Sequence, residues 1–260
     1  VAHPDDEILW FASIAEDVGK IVICFLDDPE TPDLADARKR TLKEHPLADR
    51  IQCLGLTETC SFGHADWSDP EPASSGLRIA ATGEVANVYE ERAAALRTEL
   101  APYIADATHV FTHNPWGEYG HEEHVMVHRV VSDLAASGST RVWYSNYASS
   151  WSTGLMLRYC GRRENDVFRK DVDTESMRRM SMVYRDHDTW TWFDDYEWFD
   201  TEHFVRGPLE YLPQSGFGWM FPINLITLPD RPSRKSVSRV KRLKRRLLRL
   251  AGRRHGGRGN

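Results

Sequence analysis

The sequence has no CxxC pair, no apolar run long enough to cross a bilayer, no internal repeat and no acidic residue after Asp230. Each absence excludes a class. Cys24, Cys53, Cys60 and Cys160 are too sparse in 260 residues for a disulfide scaffold, and Cys24 falls inside a buried-strand pattern. A reducing, cytoplasmic setting is therefore expected, and no secretory leader is visible. The lack of a long apolar run excludes a helical membrane span. Hydrophobic residues make up 41% of the chain, with 9 Trp, 9 Tyr and 10 Phe, enough for a sizeable globular core.

The charge is divided. Residues 231–260 hold 13 of the 33 Lys/Arg and no Asp or Glu; the other 230 residues carry 20 basic against 39 acidic side chains, a formal charge of −19. Two units are expected, a domain over 1–230 and a basic tail over 231–260. Within the tail, Val237, Val240, Leu243, Leu247 and Leu250 form one helical stripe bordered by Lys and Arg. The segment 236–250 reads as an interfacial helix for an anionic membrane, peripheral rather than spanning. A solvated extension is the plain alternative, given Gly252, Gly256, Gly257 and Gly259. The tail has no aromatic residue, which argues against nucleic acid.

In the body, helical and strand patterns alternate. Asp6 to Val18 repeats apolar residues at helical spacing before Gly19, and Lys20 to Leu26 is a buried-strand run. Asp33 to Leu54 reads as helix interrupted at Pro46, Cys60 to Gly83 as loop, and Glu84 to Ile104 as helix. A strand over Thr108–His113, a helix over His121–Ala136 and a strand over Arg141–Tyr144 follow; 150–230 is irregular. The alternation predicts an α/β, Rossmann-like fold, a mostly parallel sheet with helices on both faces, binding ligands at the carboxyl ends of its strands.

Two segments carry chemistry. Ala2-His3-Pro4-Asp5-Asp6-Glu7 places a histidine and a carboxylate three residues apart across a tight turn. Gly120-His121-Glu122-Glu123-His124-Val125-Met126-Val127-His128 puts His121, His124 and His128 on one helical face. His3 and Asp6 with a third ligand from the second segment would make a zinc site with an open position for water. The His-x-x-His spacing departs from the His-Glu-x-x-His of thermolysin-type sites. Asp5, beside a ligand but not needed as one, is placed to take a proton from water. This chemistry is metal-assisted hydrolysis of a carbonyl or phosphoryl compound.

The first motif, paired with Thr112-His113-Asn114-Pro115-Trp116-Gly117-Glu118-Tyr119-Gly120-His121-Glu122-Glu123-His124, resembles the PIG-L/LmbE family of zinc-dependent N-deacetylases in order and spacing over about residues 1 to 145. The resemblance implies removal of acetyl from an N-acetylglucosamine-type sugar or glycoconjugate, free or lipid-linked. It implies Zn2+, with Fe2+ or another divalent metal as substitute, on His3, Asp6 and His124. Asp5 would be the general base, and His121 would steady the oxyanion. Glu123 stands where the family has an aspartate that tunes the first histidine, and Arg40 only loosely matches the family's substrate arginine. His113, Tyr184 and His187 are further candidates for the site's surroundings. The family's strand before the first motif is expected to be truncated, since only Val1 and Ala2 precede His3. Plainer readings stand beside these: Asp5 and Asp6 as helix caps, His113 and His128 as structural histidines, and the aromatic run Trp190 to Phe199 as core rather than sugar platform. Two other functions are weighed, an amidase of larger N-acyl conjugates and a sugar- or membrane-binding relative without turnover.

Overall fold

The computed structural model describes residues 1–80, 83–159, 166–213 and 223–228. The expected basic tail, with its 236–250 helix, lies outside them. The chain divides into a compact unit, Val1–Thr227, and a remainder, Leu228–Asn260. Among the described residues no helix is long and apolar enough to cross a membrane.

Helices and strands alternate as expected, in an α/β arrangement: α1 (Asp6–Leu9), β1 (Ile21–Asp27), α2 (Pro32–Glu44), β2 (Ile51–Thr57), β3 (Pro72–Ala73), β4 (Gly76–Leu77), α3 (Glu84–Ala105), β5 (His109–Thr112), α4 (Glu122–Ala135), β6 (Arg141–Ser145), β7 (Tyr147–Ser149), α5 (Thr153–Tyr159), β8 (Val167–Asp171), α6 (Thr174–Asp186), β9 (Thr201–Arg206) and β10 (Asn224–Ile226). Strand pairing is more mixed than the sequence suggests. β1–β2, β5–β6 and β7–β10 pair parallel, whereas β6–β9, β8–β9 and β3–β4 pair antiparallel. The antiparallel strands β8 and β9 come from the stretch that sequence patterning left irregular.

Alternation along β1 sends side chains to two cores. Val22 and Cys24 meet Leu96, Leu100, Met126 and Val130 of α3 and α4. Ile21 and Ile23 meet Leu42, Met177, Met180 and Tyr184 of α2 and α6. The β1–β2 register shifts between Ile23 and Phe25 and again between Phe25 and Asp27, irregularities of the kind that bend a strand. Val1 and Ala2 run beside β1 through strand-like bonds: Val1 N donates to Val22 O (2.9 Å), and Cys24 N and Phe25 N donate to Val1 O and Ala2 O at 3.0 and 2.8 Å. The first motif thus departs from backbone already held at the sheet.

Two predicted helices are corrected. The helix expected over Asp6–Val18 stops at Leu9, because Ala12 N and Ser13 N donate to the buried Glu202 carboxylate (3.1 and 2.8 Å) instead of to carbonyls of their own turn. The helix expected over Asp33–Leu54 ends at Glu44. Pro46 forces His45 into extended backbone, and Ile51–Thr57 becomes a strand on β1.

One buried titratable group sets an acid limit on this fold. His128 of α4 is buried, with Nδ1 3.2 Å from His113 O, and burial pushes its pKa down to about 3. A histidine held neutral in the fold but free to charge when unfolded contributes its full stability above the unfolded pKa near 6.5. That contribution falls as pH drops from 6.5 towards 3, by about 1.4 kcal/mol per pH unit. The thermal midpoint followed by circular dichroism should therefore fall between pH 6.5 and 4.5; an unchanged midpoint across that window would contradict it.

Candidate metal centre

The turn His3–Asp6 and the amino end of α4 meet around one carboxylate oxygen. Asp6 Oδ2 accepts from His3 N (2.7 Å) and lies 3.3 Å from His3 Nδ1, 3.4 Å from His124 Nε2 and 3.4 Å from His113 Nε2. Its other oxygen, Oδ1, accepts from Trp10 Nε1 at 2.8 Å. Burial opposes the charge on Asp6, but His124, His113 and His3 outweigh it and hold the carboxyl far below its usual range.

Among the described residues, three side-chain groups have ligand atoms close enough to share an ion: His3–Asp6–His124, His3–His121–Glu123 and His113–Glu118–His124. Hydrogen bonding separates the first from the third. His113 Nε2 accepts the Ala2 N–H (2.8 Å), so its proton sits on Nδ1, donated to Glu118 Oε2 (2.9 Å). His124 Nδ1 likewise donates to Glu118 Oε2 (2.7 Å). Glu118 also accepts from Asn114 N (3.1 Å) and from the Ser145 hydroxyl, so its oxygens are consumed by donors. Burial works against charging Glu118, yet His113 and His124 hold its pKa at about 2. By contrast His124 Nε2 is buried and makes no hydrogen bond among the described residues. Burial also drives the His124 pKa down, keeping the ring neutral, the state that ligates a cation. An unsatisfied ring nitrogen beside a carboxylate is what a cation site leaves when only protein atoms are counted.

The loop before α4 is wound by Asn114. Its Oδ1 accepts from Trp116 N and Glu118 N (3.1 and 3.0 Å), and its Nδ2 donates to Tyr147 O (2.9 Å). Gly117 sits at φ +63°, and a Cβ there would stand 2.5 Å from His121 O, so the turn delivering Glu118 and His121 accepts only glycine. Glu122 binds the other flank, accepting from Gly63 N, Ala65 N and Trp67 Nε1 (3.1, 2.9 and 2.9 Å). That loop stacks Phe62 on His121, ring centroids 4.9 Å apart.

The remaining sequence candidates are placed as follows. His121 caps α4, accepting from Glu123 N at 3.2 Å, with its ring 4.8 Å from that of His3. The Glu123 carboxylate lies on His3 Nε2 (2.7 Å) and on Thr59 N and Oγ1. Burial disfavours the charge on His3, but its bonds to Asp6 and Glu123 prevail and raise the pKa to about 10. Asp5 occupies the N-cap position of α1, but its side chain makes no capping bond. It adopts φ +91°, a conformation costing about 1–3 kcal/mol outside glycine, and Oδ2 accepts from Thr191 N (3.0 Å) and Oγ1 (2.7 Å). Burial and the neighbouring Asp6 push its pKa up to about 8. Tyr184 is buried against Glu7, its hydroxyl 2.5 Å from Oε1. Arg40 is exposed on α2; Arg38, two residues earlier, is the buried arginine, on Leu26 O and Glu58. His187 pairs with Glu44 at 2.9 Å. The structure therefore gathers His3, Asp5, Asp6, His113, His121, Glu123 and His124, places Tyr184 behind Glu7, and leaves Arg40 and His187 apart. Glu118, Trp10, Glu122 and Thr191 escaped sequence reading; Glu118 and Glu122 had a signal, their place inside the second motif.

Comparison with known proteins bears on this geometry. No protein-family model matches the chain. Two curated proteins do. A 1D-myo-inositol 2-acetamido-2-deoxy-alpha-D-glucopyranoside deacetylase of Actinosynnema mirum is 27% identical over 157 residues, 53% of this chain and 54% of that protein. One of the same name from Kineococcus radiotolerans is 30% identical over 155 residues, 50% of this chain and 42% of that protein. The chain is similar to deacetylases of the PIG-L/LmbE type. It spans about half the length of the curated relatives it matches.

Proposed function

We propose that this chain is a divalent-metal hydrolase, with zinc on His3, Asp6 and His124, that removes the N-acetyl group from an N-acetylglucosamine-type sugar or glycoconjugate. The observation that carries the reading is the buried, unsatisfied His124 Nε2 beside Asp6 Oδ2. Asp5 lies within the same turn, next to Asp6, and the names of two sequence relatives support the substrate class. The fold in this reading is Rossmann-like, with the site at the carboxyl ends of strands.

A bound divalent ion supplies Lewis-acid polarisation of the acyl oxygen and acidifies water. The chain's own groups do the rest. Asp5 takes the proton of the attacking water and returns it to the amine as the C–N bond breaks, so amide and water become amine and acetate. His121 faces the same space as His3 and His124 and donates to the developing oxyanion. Glu118 fixes His124 with Nδ1 protonated and Nε2 outward.

Two measurements on the purified protein test this together: metal content by mass spectrometry, and amine release from a panel of N-acetylglucosamine conjugates. About one divalent ion per chain, with release abolished by chelation and restored by zinc, is expected. Absence of a stoichiometric ion would sink the reading. Release only from longer N-acyl conjugates would turn it into an amidase.

A further inference from the structure

We infer that Thr191 is a positioning residue for the general base, holding Asp5 by two hydrogen bonds; this rests on the reading of Asp5 as that base.

Asp5 is buried, while Thr191 is exposed, yet both polar donors of Thr191 turn inward to the same carboxylate oxygen: N–H at 3.0 Å and Oγ1–H at 2.7 Å from Oδ2. No local feature of the first motif performs this task, since the Asp5 side chain makes no capping bond to α1. A carboxylate on a left-handed residue, with one oxygen doubly occupied, has its plane fixed. The lone pairs on Oδ2 are committed, so Oδ1 is the basic atom, and its direction is set by Thr191.

The segment around Thr191 is itself secured to the motif. Trp192 packs its ring against Trp10 (5.1 Å between centroids, 87°) and Tyr119 (4.9 Å). Trp10 donates to the proposed ligand Asp6, and the Tyr119 ring lies edge-on to His121 and His124. Trp198 Nε1 donates to Ile8 O at the end of α1. Arg185 lies over the Trp190 ring, 4.8 Å from its centroid. Thr191 thus reaches Asp5 from a stretch braced on both sides, as a group that sets an angle must be.

The test uses the full chain carrying Thr191→Val or Thr191→Ser. Valine keeps the shape and the backbone N–H but removes the hydroxyl. It should lower kcat for amine release by about 10- to 100-fold with KM within about 3-fold of the parent, since the loss falls on the transition state. Metal content should be unchanged, and serine should restore kcat to within about 3-fold. A second readout does not need turnover. The Thr191 amide should exchange its hydrogen slowly despite its exposed position, and Asp5→Ala should speed that exchange by about 10-fold or more. An active parent with an unaffected valine variant, a serine variant as slow as valine, or an unprotected Thr191 amide would each overturn the inference while leaving the deacetylase reading intact. A metal-loaded parent inert on every conjugate would sink that reading and the inference with it.

Discussion

Asp5→Asn should abolish amine release, by about 100- to 10,000-fold in kcat, while the protein keeps its metal. Asparagine preserves the volume of the side chain and can still accept from Thr191, so the geometry at Oδ2 survives. What disappears is the ability to hold a proton between water and amine. The same change should make the metal-stripped protein more stable at neutral pH. Burial and Asp6 raise the Asp5 pKa to about 8 in the fold, above the value near 3.9 of the unfolded chain. Between those values the unfolded state gives up its proton first, so each rise in pH favours unfolding. Removing the titrating group removes that cost, for a gain of about 2–4 °C in the thermal midpoint per kcal/mol recovered. Activity lost while stability is gained is the signature of a group kept for chemistry. Asp5→Asn with full turnover and bound metal would show that another group moves the proton.

The second large effect belongs to Glu118. Replacing it by glutamine should weaken metal binding by about 10- to 100-fold, read by competition titration with a chromophoric chelator. The reason is the direction of one proton. Glu118 Oε2 accepts from Nδ1 of both His113 and His124. Glutamine opposes the Asn114 N–H if its N–H₂ takes the place of Oε1, and if it takes the place of Oε2 both facing rings must turn Nδ1 into an acceptor and carry their proton on Nε2. For His124 that is the nitrogen offered to the metal, and a protonated nitrogen cannot ligate. Glu118→Ala should cost more in the fold itself, about 3–5 kcal/mol, because buried donors are left without an acceptor. If the glutamine variant bound metal as tightly as the parent, Glu118 would not set the tautomer.

The two motifs were legible because their information is local. A histidine and an aspartate three residues apart, and two histidines on one turn of helix, need only backbone periodicity to come together, and the structure does bring His3, Asp6 and His124 to one point. The helices over Glu84–Ala105 and Glu122–Ala135 and the strands at Ile21, His109 and Arg141 follow from the same short-range patterning. What was not legible depends on partners distant in the chain. The early end of α1 is decided by Glu202, and the orientation of Asp5 by Thr191, neither of which lies in either motif. Pro46 signalled a break, but not that the residues after it would join β1 as a strand. Arg40 illustrates the converse error: loose motif spacing selected an exposed arginine, when a shift of two along α2 reaches the buried Arg38.

Glu202 also bears on how this molecule comes into being. It holds the Ala12 and Ser13 amides and the Tyr147 hydroxyl at once, joining residues 190, 189 and 55 positions apart. Closing loops of that length is the slow part of folding. The turn bearing His3, Asp5 and Asp6 should therefore stay loosely formed until β9 docks, however early its neighbours along the chain collapse. A single proteolytic cut between Ser13 and Glu202 would turn that closure from an internal event into an encounter between two fragments.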